Sequence, residues 1–174
     1  MRKFMFVAMA ALLIAVVGCS GNSAPPPPNG GAPVAKITRT PTPVPANDDE
    51  ALKQIINAEG EAVVQQDIDR LQGLWDKDGV VTDANGTADN TSDDKTWKSW
   101  SAIRDRYVNI VFPSNPAFAE HPNIRITVSG ETSSAVADTK IGTTNAKDND
   151  KWTFRKIDGK WKLTSLTFSL APKK

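Results

Sequence analysis

The chain is poor in the residues that most often carry chemistry. It has one cysteine, one histidine and one tyrosine in 174 residues. A single cysteine excludes an internal disulfide, so a folded domain here must be held together by packing. Cys19 and His121 alone leave no ligand set for a zinc or iron centre, and neither a metal nor another cofactor is expected. No glycine-rich phosphate loop and no nucleophile beside a base stands in the sequence. Charge of one sign is also lacking. The 21 basic and 20 acidic residues leave a net charge of +1 without a basic block or stripe, so nucleic acid is not an expected partner. The longest apolar run, Phe4 to Val17, has 14 residues, short of the roughly 20 that a membrane-spanning helix needs.

What surrounds that run gives it a meaning. Arg2 and Lys3 precede it, and small Gly18 and then Cys19 follow it, which is the layout of a secretory signal peptide. Val16-Val17-Gly18-Cys19 closely resembles a bacterial lipobox. That resemblance implies cleavage before Cys19, lipidation of its thiol, membrane lipid as a partner, and a domain outside the cytoplasm at the cell envelope. An uncleaved anchor is the alternative. Residues 1–18 are thus read as a signal peptide and 19–46 as a lipidated cysteine with a disordered tether. The tether holds Pro25-Pro26-Pro27-Pro28, Asn29-Gly30-Gly31 and Thr40-Pro41-Thr42-Pro43-Val44-Pro45. Proline favours extended polyproline geometry, and too little apolar surface is present to offset the entropy of folding.

Residues 47–174 are read as one domain. All five tryptophans, the tyrosine and Phe112, Phe118, Phe154 and Phe168 lie in it. Asn47 before Asp48-Asp49-Glu50 is a helix start. Leu52, Ile55, Ile56, Glu59 and Val63 then share one helical face, with Glu59 the only charge on it. Asp67 caps a second helix whose buried side is Ile68, Leu71, Leu74 and Trp75. Asp78-Gly79 breaks it before a strand over Val80–Asp83. Ala84 to Thr96 reads as a polar loop. Ser99 caps a third helix with Trp100, Ile103, Tyr107 and Val111 at 3–4 spacing, ending at Pro113, and a connector carries His121. From Asn123 the apolar period becomes two. Strands are expected over Ile124–Val128, Ser134–Gly142, around Trp152–Phe154 and over Lys160–Leu170, with Asn145–Asp150 a loop. Asp158-Gly159 signals a two-residue type I′ turn. The change of apolar parity between Leu163 and Leu166 implies a bulge near Thr164-Ser165. The order predicts an α+β fold, three helices packed on a curved antiparallel sheet.

With these elements in order, the chain resembles the nuclear transport factor 2-like superfamily, which includes SnoaL-like cyclases and ketosteroid isomerases. The matching pieces are Gln66 to Asp83, Trp100 to Tyr107 and the hairpin Trp152 to Leu163. The resemblance implies a cone-shaped domain around an apolar pocket, often dimeric through its sheet. It places Asp83 at the position of the isomerases' general base. Glu59 stands where those isomerases carry a tyrosine, and Asp150 and Lys151 lie near the second acid position. An ionised Glu59 cannot donate to an oxyanion, so the isomerase constellation is incomplete.

Two functions remain in view. The leading one is a lipid-anchored, non-catalytic domain that binds an apolar small molecule, or an envelope protein or second copy of itself. Trp75, Trp100, Phe112, Trp152 and Phe154 are candidates to line its cavity. The other is a cyclase, isomerase or dehydratase acting on a hydrophobic carbonyl compound, with Asp83 as base and Glu59 or Tyr107 as acid or donor.

Overall fold

A computed structural model of the chain describes residues 43–172. The signal peptide, Cys19 and all of the tether before Pro43 lie outside the described residues. The last tether residues run beside the first helix: Gln54 Nε2 donates to the Pro43 carbonyl at 3.2 Å, and the Ala46 N–H donates to Glu50 at 2.7 Å.

Helix α1 spans Asp48–Val64 and α2 spans Ile68–Leu74. Both caps are those read from the sequence. Asn47 accepts from the Glu50 N–H, and Asp67 accepts from the Arg70 N–H. Strand β1 is Trp75–Asp83 and β2 is Lys95–Lys98. Helix α3, Ser99–Arg106, continues as a π-helical turn over Tyr107–Val111 and a 3₁₀ turn over Phe112–Ser114. Strands β3 (Ala119–Glu120), β4 (Arg125–Ser129), β5 (Thr132–Ile141), β6 (Thr144–Ile157) and β7 (Lys160–Phe168) complete the chain.

The strands form one sheet in the order β2-β1-β7-β6-β5-β3, with β4 also paired to β5. The expected α+β layering holds, and one detail is corrected. The sheet is mixed, because β1 runs parallel to β7. Asp76 to Gly79 do not end a helix. They bulge out of β1 between Trp75, opposite Leu163, and Val80, opposite Ser165. The β6–β7 register shifts where Thr153 faces Ser165 and Phe154 faces Leu163. Thr164 is therefore the extra residue, where the parity change placed the bulge. Asp158 and Gly159 have φ of 50° and 74°, the pair of positive values a type I′ turn requires.

Three local expectations fail. Lys95 and Thr96, read as the end of a loop, begin the strand Lys95–Lys98, because long-range pairing with Val80–Asp83 overrides their polar composition. Ser99 is not the cap of α3; Lys98 holds that place without a side-chain hydrogen bond. Asn145–Asp150 belongs to β6, paired to β5 around a bulge.

The core lies between the helices and the inner face of the sheet. Leu52, Ile56, Leu71, Ile103, Trp152 and Leu163 are among its fully buried members. Fully burying one such side chain contributes about 1.5–3 kcal/mol.

Candidate functional site

Glu59 stands on the apolar face of α1 and is 5% exposed. The charge that interrupts the stripe is thus turned into the fold. At the end of α3, Tyr107 is 1% exposed and donates its O–H to Glu59 Oε1 at 2.6 Å. Trp75 Nε1 donates in turn to the tyrosine oxygen at 3.3 Å. The candidates Glu59 and Tyr107 therefore meet.

Two further groups join them. The β5–β6 register shifts after Ala137, which faces Asp150, and resumes at Thr139, which faces Ala146. Asp148 takes the extra backbone bend with a φ of 50°, and its N–H is held by Asp138 at 2.9 Å. Bulges re-aim side chains. Here the successive residues Asn149 and Asp150 are both buried instead of alternating. His121 arrives from the connector after β3. Its backbone is fixed by β3 pairing with β5 and by the Asp138 N–H donating to the Pro122 carbonyl at 3.0 Å. Gly60 makes this approach possible, since a Cβ there would lie 2.5 Å from the Ala119 carbonyl oxygen.

The result is a buried cluster. His121 Nδ1 lies 3.3 Å from Asp150 Oδ2, and its Nε2 lies 3.9 Å from Glu59 Oε2. Neither ring nitrogen makes a hydrogen bond. The ring meets Trp152 edge-on at 4.8 Å. Burial dominates the protonation of all these groups. It pushes the Asp150 carboxyl up to about 7 and His121 down to about 4. It also raises Glu59, against the hydrogen bond from Tyr107, and raises Tyr107 well above its ordinary value. Near neutral pH His121 is an uncharged ring, and Asp150 is poised between acid and base.

The cluster borders a cavity of about 240 Å³. Glu59, Tyr107, His121 and Asp150 line it beside Arg106, Thr139 and Asn149, and apolar Val63, Val111, Ile141, Leu166 and Phe168 form much of the remaining wall.

Asp83 is not in that wall. It ends β1 opposite Phe168 and is half-buried, and its Oδ1 accepts from the Asn85 N–H at 3.0 Å. That is a turn-capping carboxylate, and the carboxylates in the cavity wall are Glu59 and Asp150. The five aromatic candidates are also absent from the wall. Trp75, Trp152 and Phe154 are buried in the core, Trp100 packs against it, and Phe112 stacks on Tyr107 with ring centroids 6.2 Å apart. These rings fill the fold and leave aliphatic side chains and Phe168 to face the cavity.

No protein-family model and no curated protein matches the sequence. Solved structures do. An NTF2-like protein with a cystatin-like fold from Novosphingobium aromaticivorans aligns with a TM-score of 0.55 at 19% identity, covering 69% of this chain and 79% of its own. A nuclear transport factor 2-like superfamily protein from Salmonella enterica serovar Typhimurium gives 0.55 at 16%, covering 71% and 89%. A putative ketosteroid isomerase from Shewanella frigidimarina gives 0.53 at 12%, covering 69% and 95%. The domain has the nuclear transport factor 2-like fold. At these identities the likeness concerns the fold, and function has to be argued from the site.

Proposed function

We propose that this is an envelope lipoprotein, anchored through Cys19, whose domain takes a small, mainly apolar molecule bearing a carbonyl group and moves a proton on it. The observation that carries the reading is the convergence of Glu59, Tyr107, His121 and Asp150 on one small cavity. A base near 7 suits proton abstraction at neutral pH, and the apolar wall strengthens every charge interaction inside. Asp150 accepts the proton from carbon and returns it to the substrate or gives it to solvent, while His121, 3.3 Å away, is kept neutral by burial beside it. The Tyr107 O–H is already given to Glu59 Oε1, so the donor to a developing enolate oxygen is the protonated form of Glu59, which burial favours.

The test is isotope exchange. The mature lipoprotein in detergent is incubated in D₂O with a panel of small cyclic ketones, and deuteration beside the carbonyl is followed by NMR. The expected result is exchange faster than with Asp150→Asn. Equal rates for the two proteins across the panel would refute the proton-transfer reading. The anchor is tested separately by fractionation: Cys19→Ala should leave the membrane fraction with its domain folded, and full membrane retention would overturn the anchor.

A further inference from the structure

Arg106 is the charged residue of this lining that the cluster does not use. It closes α3, one residue before Tyr107, and its side chain borders the same cavity. The guanidinium carbon lies 4.5 Å from the Phe168 ring centroid, 5.1 Å from that of Trp97 and 5.7 Å from that of Tyr107. These cation–π contacts use none of its N–H donors. Among the described residues Arg106 makes no ion pair and no hydrogen bond, and its Nε is buried without a partner. A buried donor left unsatisfied costs about 1–3 kcal/mol, more when charged. Glu59 and Asp150 feel the positive charge, which opposes the effect of burial on both, yet neither carboxylate closes onto it.

A guanidinium without a hydrogen-bond or ion-pair partner, at a cavity that also carries an apolar wall, is arranged for an oxygen anion of a ligand. We propose that Arg106 anchors the carboxylate of a small monocarboxylic acid whose apolar body lies against Val63, Val111 and Leu166. This rests on the small-molecule reading above and adds the class of ligand to it. A carboxylate matches the planar guanidinium fork. One feature favours a single negative charge: the cavity wall contains no lysine and no second arginine to compensate the second charge of a dianion such as a phosphate monoester. The volume of about 240 Å³ sets a limit of a compact ring or a branched chain.

Matched acids and amides separate this anchor from plain apolar binding. Isobutyrate, benzoate, phenylacetate and 2-naphthoate, each with its primary amide, are titrated into the mature lipoprotein in detergent, with tryptophan fluorescence and calorimetry as readouts. For the tightest-binding pair, the wild type is expected to prefer the acid at least tenfold. Arg106→Met should bring the ratio below twofold while the amide still binds and the melting temperature moves by only a few degrees. Arg106→Lys, which keeps the charge and loses the fork, should fall between them and guards against a misfolded methionine variant. Equal affinity for acid and amide in the wild type, or an unchanged preference in both variants, overturns the anchor while the small-molecule reading stands. Binding of none of the eight compounds overturns both.

Discussion

Replacing Asp150 and His121 one at a time should tilt the pH profile of stability in opposite directions. The Asp150 carboxyl rises from an ordinary 3.8 to about 7 in the folded protein. Between those values the folded state keeps a proton that the unfolded chain releases, so unfolding becomes easier as pH rises, by about 1.4 kcal/mol per pH unit. His121 falls from 6.5 to about 4. Across that interval the unfolded chain holds a proton that the folded state refuses, so stability climbs with pH at the same rate. From pH 4 to 6.5 the two effects oppose each other, each amounting to about 3 kcal/mol on the order-of-magnitude scale of these shifts. Glu59 is raised by burial and adds to the downward slope in all three proteins. Asp48, Asp76 and Asp138 are lowered below 3.8, and their stabilisation is lost only below this window. The wild type should therefore be flat to gently falling from pH 4 to 6.5. Asp150→Asn should gain up to about 3 kcal/mol over that range, and His121→Gln should lose a similar amount. Guanidinium chloride titrations at half-unit pH steps measure all three profiles. Parallel profiles would show that these two side chains do not carry the protons assigned to them.

Three further outcomes follow from the same geometry. Tyr107→Phe leaves Glu59 Oε1 and Trp75 Nε1 without their shared partner and should cost about 1–3 kcal/mol, read from the same denaturant titration; a loss under about 0.5 kcal/mol would mean that water replaces the hydroxyl. Gly60→Ala should destabilise by about 1–3 kcal/mol through the clash with the Ala119 carbonyl, where a helix interior normally gains about 1 kcal/mol from that change, so a rise in melting temperature would refute the close approach. Asp83→Asn should leave ligand affinity and isotope exchange within twofold of wild type, because its carboxylate caps a turn outside the cavity wall; loss of either would restore Asp83 to the site.

The sequence carries the local half of this molecule. Asn47, Asp67 and Asp158-Gly159 act through neighbours two or three residues away, and each does what its residue type implies. Glu59 was visible because one charge on an apolar helical stripe must be compensated. Tyr107 followed from helical spacing, although spacing could not say that it reaches Glu59. His121 and Asp150 were hidden for different reasons. A lone histidine before a proline has no periodic frame, and its position depends on β3 pairing with β5 and on the space left by Gly60. Asp150 sits in a polar run that reads as loop. Only the β5–β6 register and the backbone bend at Asp148 turn it inward. Two signals bear on it: the resemblance puts Asp150 and Lys151 near the isomerases' second acid position, and the alternation of Trp152 and Phe154, carried back two residues, gives Asp150 the same inward face. Asp83 lies outside the cavity wall because a position shared within a fold does not fix what the carboxylate touches.

The cluster also runs against the ordinary logic of a folded interior. Both His121 nitrogens, the Arg106 Nε and the Trp152 Nε1 are buried without hydrogen-bond partners, and each such group costs about 1–3 kcal/mol. A domain of ordinary size has about 5–15 kcal/mol of net stability in all. Of the five such unpartnered atoms among the described residues, the two His121 nitrogens and the Arg106 Nε belong to side chains that border one cavity, while Trp152 Nε1 lies in the core and Asp94 Oδ1 outside the cavity wall. An apolar residue at position 121 would pack against Trp152 without the penalty. Three of the five unsatisfied atoms thus sit on side chains that a ligand in the cavity can reach. A molecule that satisfies them recovers part of that penalty as binding free energy, which in turn stabilises the folded state by mass action. Melting temperature in the presence of a fitting ligand is consequently the most direct measure of what the cavity is built to hold.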